Sequence, residues 1–290
     1  MPFEKPVIGV IGGSGLYKMD GMSEVGETAV ETPFGPPSDS LLTGVIDGVK
    51  LVFLPRHGRG HRLSPTAINY RANVHALKQL GVTRAISVSS VGSMREDVHP
   101  GDIVIVDQFV DRTRHRETTF FSDGIVAHAN FSDPVCPTLS STLLDAARRR
   151  GARVHRTGTY LCMEGPQFST RAESRIYRQW GVDVIGMTNA PEAKLAREAE
   201  ICYATLALVT DYDCWKTDAA SVRIEEVLEV MNRNVALARD ILRLALPALA
   251  APPGCACADA LRHAIVTDPT AVTPEVRDRL RVIAGRHLAR

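Results

Sequence analysis

Short apolar, β-branched runs alternate with amphipathic helical patterns through most of the chain, and this alternation constrains the fold more than any other feature. Residues 7–11 (VIGVI), 51–55 (LVFLP), 84–89 (RAISVS), 102–106 (DIVIV), 182–187 (VDVIGM) and 203–209 (YATLALV) read as buried strands. Between them lie helices. Residues 65–80 follow Ser64-Pro65, a cap with proline at the first helical position, carry Tyr70, Val74 and Leu77 on one face, and stop at Gly81. Residues 139–150 and 171–179 have the same character. From Ser221 onward Ile224, Val227, Leu228, Met231, Val235, Ala238 and Leu242 hold an i, i+3, i+4, i+7 stripe, which predicts a long packed helix. The expectation is an α/β fold: a single domain with a central mixed β-sheet flanked by helices. The Pro- and Ala-rich stretch 247–254 breaks the composition, so residues 1–249 are expected to form the domain and 250–290 a linker with a helical C-terminal extension.

The chain has 290 residues, 23% charged and 44% hydrophobic, which excludes a disordered or coiled-coil chain. Lys plus Arg number 34 against 33 Asp plus Glu, without the basic excess of a nucleic-acid binder. The most apolar stretch, 241–251, is interrupted by Arg243 and Pro247 and falls short of the roughly 18 residues of a membrane span. MPFEKPVIGVIGG reads as a first strand rather than a signal peptide, so the cytoplasm is the expected location, with no nucleic-acid or membrane partner. The six cysteines show no CxxC pairing of the zinc kind, and no metal is expected; Cys255-Ala-Cys257 is the unusual spacing.

Several strand ends carry groups suited to chemistry. Gly12-Gly13-Ser14-Gly15 follows the first strand and can bring N–H groups and a hydroxyl close to an anion, although neither the dinucleotide nor the Walker spacing fits and the bland reading is a turn. Arg56-His57-Gly58-Arg59-Gly60-His61 places cations at a second strand end, where α/β folds bind ligands; the alternative is a solvated basic loop. Ser89 and Ser90 end a third strand. Thr188, after Met187, either reaches into the same crevice or caps the helix that opens with Pro191-Glu192. Asp211 and Asp213 close the last strand and can bind metal, act as acid and base, or cap a turn; crowded carboxylates raise one another's pKa and can share a proton.

Over roughly residues 7–249 the ordered motifs IGVIGGSGLY, TPFGPPSD, RHGRGHRLSPTAINYRAN, GSMREDVHPGDIVIVDQFVDRT, EGPQFSTRAES, GMTNAPEAKLAREAEICYA and TDYDCW resemble the S-methyl-5'-thioadenosine phosphorylases of the trimeric purine nucleoside phosphorylase superfamily. The resemblance implies a phosphorylase/hydrolase-like sheet and a pentosyltransferase in which phosphate attacks C1' as the purine leaves. It implies no metal or organic cofactor, inorganic phosphate as co-substrate, and a homotrimer with active sites at subunit interfaces. Carried over by position, it assigns Ser14, Arg56, His57, Ser89, Ser90 and Thr188 to phosphate, Met187 to the ribose, and Phe168, Ser169, Asp211 and Asp213 to the base. Ser14 and Ser89 stand where threonine is common in the family. Ile224, Val227 and Leu228 would form the methylthio pocket, with His61 nearby and His128 from a neighbouring subunit. Cys255-Ala-Cys257 resembles a CxC that takes part in disulfides in some thermophilic members, and Cys136 and Cys202 stand at positions paired there; a reducing cytoplasm argues for free thiols.

Glycosidic cleavage builds positive charge on the ribose and negative charge on the base, so the site must hold phosphate on one side and give N7 a proton on the other. A protonated Asp211 or Asp213 suits the second task, with Asp211 the favoured donor. The apolar stripe offers no partner for a 5'-hydroxyl and suits a thioether, although taken alone it reads as core. Two rivals are a 6-oxopurine nucleoside phosphorylase, which typically lacks the paired aspartates, and a nucleoside- or phosphate-binding module, which needs no acid.

Overall fold

The structure, a computed structural model, describes residues 6–17, 19–216, 224–252 and 254–288; the side chains of residue 14 and residues 224–228 lie outside the description. Among the described residues one mixed sheet contains eleven strands: β1 (Val7–Gly12), β2 (Ser23–Thr28), β3 (Leu41–Ile46), β4 (Val49–Pro55), β5 (Val82–Ser93), β6 (Ile103–Val106), β7 (Gln108–Asp111), β8 (Val154–His155), β9 (Thr159–Cys162), β10 (Val184–Gly186) and β11 (Cys202–Tyr212). The helices are α1 (Tyr70–Gln79), α2 (Pro137–Arg149), α3 (Arg171–Gln179), α4 (Asn189–Glu198), α5 (Ile224–Leu249), α6 (Pro274–Arg279) and α7 (Arg281–Leu288). All six expected strands are present, within two residues of their expected bounds except at the far ends of β5 and β11, which continue to Ser93 and Tyr212. The mixed α/β sheet is as the alternation predicts.

Strand order runs β2-β3-β4-β1-β5-β10-β9-β7, and β11 pairs the other side of β5, followed by β6 and β8. β5 is the hub. Its first half pairs β1 in parallel and its last two residues pair β10 antiparallel, while β11 runs parallel along most of its length. The central strands are apolar at nearly every position because both sheet faces are covered. Val52 and Leu54 of β4 enter one core with α1, α4 and α7, whereas Leu51 and Phe53 enter the other with α2 and α5.

Local chemistry explains where the helices differ from expectation. α1 begins at Tyr70, not at residue 65, because the Asn69 side chain accepts from the Ala72 N–H and Tyr70 donates to the Pro65 carbonyl. Ser64-Pro65 therefore starts a turn. α3 has a full capping box between Thr170 and Glu173. The expected onset of α5 at Ser221 lies outside the described residues, and its end at Leu249 carries Pro247 inside the last turn. Ala238, Leu242, Ala245 and Leu246 bury the second half of its stripe, but Met231 is exposed.

The segment after α5 packs closely: Leu261, Val272, Val276, Leu280, Ile283 and Leu288 join the core that contains α1 and α4. Glu200 anchors it. This nearly buried carboxylate accepts from the Leu261 N–H at 3.0 Å, pairs with Arg286 at 2.7 Å and meets His287 at 3.1 Å. No helix among the described residues is long and apolar enough to cross a membrane.

Candidate active site

The parallel strands β1, β4, β5 and β11 all end at the same edge of the sheet, which is where open α/β sheets form their crevice. The Gly13–Gly15 turn follows β1. A Cβ on Gly15 would lie 2.7 Å from Val235 Cγ1, so only glycine lets α5 close over this turn. Asn234, on the same helix, donates to the Val209 carbonyl of β11 at 2.9 Å. The first half of α5 thus roofs the strand ends. The side chains of Ser14, Ile224, Val227 and Leu228, expected at the phosphate and methylthio positions, lie outside the described residues.

Arg56 follows β4 and is buried. It donates to Glu192 of α4 from two nitrogens, to the Val88 carbonyl at 3.1 Å and to the Ser87 hydroxyl, while its own N–H bonds the Gly12 carbonyl at 3.1 Å. Burial is the strongest single influence and would lower the Arg56 pKa, but the charge and hydrogen bond of Glu192, with smaller help from Tyr203 and Tyr160, together outweigh it and raise the pKa above its ordinary value. Asn189, Ser87 and Tyr203 complete the network around Glu192. Arg56 therefore clamps β1, β4, β5 and α4 together at the crevice floor.

His57 beside it bonds the Leu63 carbonyl through Nδ1 at 2.9 Å and stacks on His61 with ring centroids 4.1 Å apart. Burial pushes the His57 pKa down to about 4, so the ring is neutral at pH 7, Nδ1 carries the proton and Nε2 is an acceptor. His61 itself is exposed. Arg59 points away to Glu27 and Asp39, so the basic run divides into an interior half and a solvated half.

β10 runs antiparallel to β5 with Val184 opposite Ser93 and Ile185 opposite Gly92, and beyond its end the Thr188 N–H meets the Tyr160 hydroxyl at 3.4 Å. Thr188 is buried and stands at the N-cap of α4, yet its side chain makes no capping bond and has no hydrogen-bond partner among the described residues. The capping alternative is thus not the one the structure adopts. Ser89 is buried and Ser90 exposed. The Thr188 hydroxyl, at the N-terminus of α4, and the buried Arg56 guanidinium that the same helix holds through Glu192 are groups of the kind that can take an anion.

At the end of β11 the ladder skips one residue: Val209 pairs Val91 and Asp211 pairs Gly92, leaving Thr210 unpaired. This bulge re-aims the strand end. A Cβ on Gly92 would lie 3.2 Å from Asp211 Oδ1 and 3.6 Å from Asp213 Cβ, so glycine makes room for both acids. Burial, and more weakly the Asp213 charge, push the Asp211 pKa up against a lowering hydrogen bond from Thr210 at 2.6 Å. Asp213 instead accepts from the Ser169 hydroxyl at 3.1 Å and from the fully buried Ser174 hydroxyl. Two adjacent carboxyls thus have different surroundings, the arrangement that separates an acid from an acceptor.

Ser169 is buried as this arrangement requires, but Phe168 next to it is 82% exposed at the rim. Met187 is half-buried, with its carbonyl held by Arg116, which also bonds the Glu164 carbonyl at 2.6 Å. His128 is exposed on a segment joined to the C-terminal region through its N–H and the Ala264 carbonyl. Among the described residues no hydrogen bond or ring contact joins it to the other site residues of this chain. Sequence reasoning missed Glu192, Ser87, Asn189, Ser174 and Arg116. The Glu192 position is visible in APEAKLAR, but nothing local marks it as the partner of a cation 136 residues away.

The sequence profile of the phosphorylase superfamily matches residues 7–247. The chain is 59% identical to the S-methyl-5'-thioadenosine phosphorylase of Geobacter sulfurreducens, over 97% of this chain and 99% of that protein. Among solved structures it is similar to a methylthioadenosine phosphorylase from an antarctic soil metagenomic library, with TM-score 0.93, 46% identity, and 97% and 99% of the two chains covered. It is also similar to the methylthioadenosine phosphorylase of Schistosoma mansoni in complex with adenine, with TM-score 0.83, 39% identity, and 89% and 96% covered. The chain belongs to the phosphorylase superfamily and, within it, to the S-methyl-5'-thioadenosine phosphorylase family.

Proposed function

We propose that this protein catalyses the phosphorolysis of S-methyl-5'-thioadenosine: phosphate attacks C1', the C1'–N9 bond breaks, and adenine and 5-methylthio-ribose 1-phosphate leave. The observation that carries the reading is the half-buried Asp211 carboxyl, pushed towards its protonated form, beside a buried Asp213 held by Ser169 and Ser174. Protonated Asp211 gives N7 its proton as charge develops on the base, and Asp213 accepts from the 6-amino group. At the other end of the crevice Thr188, Ser89, Ser90 and Ser14 hold phosphate. Arg56 supplies the positive charge, and neutral His57 accepts from the P–OH of the monohydrogen phosphate. Met187 bears on the ribose and Phe168 covers the base once it is bound.

The methylthio group lies against Ile224, Val227 and Leu228 near His61, with His128 from a neighbouring subunit, in a cytoplasmic homotrimer. Phosphate is the nucleophile and Asp211 the acid, so this reaction needs no metal or organic cofactor. The comparison proteins support the substrate, as all three are named for it and one of them holds adenine.

A phosphate-dependent base-release assay across methylthioadenosine, methylthioinosine, adenosine and inosine tests this reading. A 6-oxopurine puts a carbonyl oxygen opposite an ionised carboxylate, and an unpaired buried polar group costs about 1 to 3 kcal/mol. Methylthioadenosine is therefore expected to exceed methylthioinosine by at least about tenfold in kcat/KM. Equal rates, or base release without phosphate, would overturn it.

A further inference from the structure

Four cysteines that are distant in sequence meet at one point. Cys136 is the N-cap of α2, Cys202 opens β11, and Cys255 and Cys257 lie just beyond α5. Their Sγ atoms all lie within 4.8 Å of one another, and three of the four residues are buried. Cys202 Sγ and Cys255 Sγ are 3.3 Å apart. A zinc ion bound by four thiolates at about 2.3 Å needs sulfur–sulfur edges of about 3.8 Å, so sulfur shifts of about one ångström or less complete the tetrahedron.

The surroundings fit a charged centre better than four thiols packed as small apolar groups. Cys136, Cys202 and Cys255 border a cavity of about 30 Å³ that Arg84, Leu139 and Leu249 also line, more than the roughly 10–15 Å³ needed by one water. Arg84 is only 5% exposed, and its charge on that wall offsets part of the net −2 of a zinc tetrathiolate. The Leu139 N–H, in the first turn of the 13-residue α2, donates to Cys136 Sγ at 3.5 Å, and a helix N-terminus favours thiolate over thiol. The partly exposed Cys255 gives an ion a way in.

We propose that Cys136, Cys202, Cys255 and Cys257 form a closed, structural zinc site. Binding turns four thiols into thiolates and releases up to four protons, with no change of oxidation state. Zinc is the redox-inert ion that takes four thiolates and leaves no open position. The site clips the segment after α5 to the start of β11 and to α2. Cys202 and Asp211 stand at opposite ends of one strand, about 30 Å apart at about 3.3 Å per residue. The clip therefore acts on stability and not on turnover.

The test uses the full chain, purified reduced and anaerobically from cells grown with added zinc. About one zinc per chain should survive gel filtration and be released by a mercurial. Cobalt(II) on the metal-free protein should give sulfur-to-cobalt charge-transfer bands and the visible bands of a tetrahedral ion. Cys257→Ser should lose the zinc and lower Tm while leaving turnover at low temperature unchanged. Absence of both zinc uptake and the cobalt spectrum in the wild-type chain would overturn the proposal. So would bound iron in place of zinc, or disulfides that leave only Cys162 and Cys214 titratable in the unfolded chain. The cobalt spectrum is read on the wild type, so a Cys257→Ser chain that fails to fold leaves the test intact.

Discussion

The fully buried hydroxyl of Ser174, on α3, donates to Oδ2 of Asp213, 39 residues away at the end of β11. Ser169 donates to the same carboxylate, so two hydroxyls fix its direction. A hydrogen bond to a charged group is worth about 1.5–3 kcal/mol. Ser174→Ala is expected to lower kcat/KM for methylthioadenosine about tenfold or more, with phosphate KM unchanged. Steady-state kinetics in both substrates check it, and an unaltered kcat/KM would remove Ser174 from the account.

Asp211 is proposed to act as its protonated form, and its pKa is raised chiefly by burial. The acid therefore stays loaded to higher pH than an ordinary carboxyl, and kcat/KM should fall as pH rises through the shifted value. The Thr210 hydroxyl opposes the shift, so Thr210→Val should move this alkaline limb to higher pH. Asp213 adds a smaller raising effect, so Asp213→Asn should move it slightly lower. pH–rate profiles of the three proteins give the two directions, and coincident limbs would dissociate Asp211 from the proton.

Arg56 and Thr188 call for different tests of the phosphate site. Arg56→Ala leaves the Glu192 carboxylate buried without its cation, and breaking a buried pair in this way costs about 3–5 kcal/mol. Lost stability should therefore dominate in that variant. Thr188 makes no side-chain hydrogen bond among the described residues, so Thr188→Val should raise phosphate KM about fivefold or more, from the loss of about 1 kcal/mol or more, while Tm stays within about one or two degrees. A lower Tm with unchanged phosphate KM would assign the hydroxyl to folding.

Glu200 makes a prediction about the C-terminal region alone. Glu200→Ala removes the acceptor of the Leu261 N–H and the partner of Arg286 and His287. A loss of about 1–3 kcal/mol is expected in urea unfolding, with proteolysis reaching residues 257–288 first. Uniform cleavage along the chain would show that the anchoring is not local.

The central strands and the ligand-bearing strand ends were legible because burial on both faces leaves continuous apolar runs at β1, β4, β5 and β11, and small or charged residues mark where they stop. The β3–β4 hairpin left a clear signal too: Asp47-Gly48, with φ of 50° and 72°, joins Ile46 to Val49 in a two-residue turn, and DG between apolar runs is the pattern for it. Edge strands such as β2 (SEVGET) carry no apolar alternation because neither face is buried. The Arg56–Glu192 and Ser174–Asp213 contacts were illegible since their partners are 136 and 39 residues apart, and no single-chain pattern encodes such pairings. The cysteine cluster is similar. Cys255-Ala-Cys257 is visible in the sequence, but Cys136 and Cys202 reach it only through the packing of α2 and β11.

Thr210 has no partner across the β5–β11 ladder, and that extra residue bends the strand end that carries the acids. Asp211 already stands opposite Gly92, so deleting Thr210 would restore a continuous ladder and keep Asp211 on its face, but would remove the local bend and the hydroxyl that donates to Asp211. The shortened chain would have better-paired backbone and acids aimed differently at the crevice. Selection for regular hydrogen bonding and selection for catalysis therefore pull against each other at a single position, and an engineer seeking a more heat-stable variant should leave that irregularity untouched.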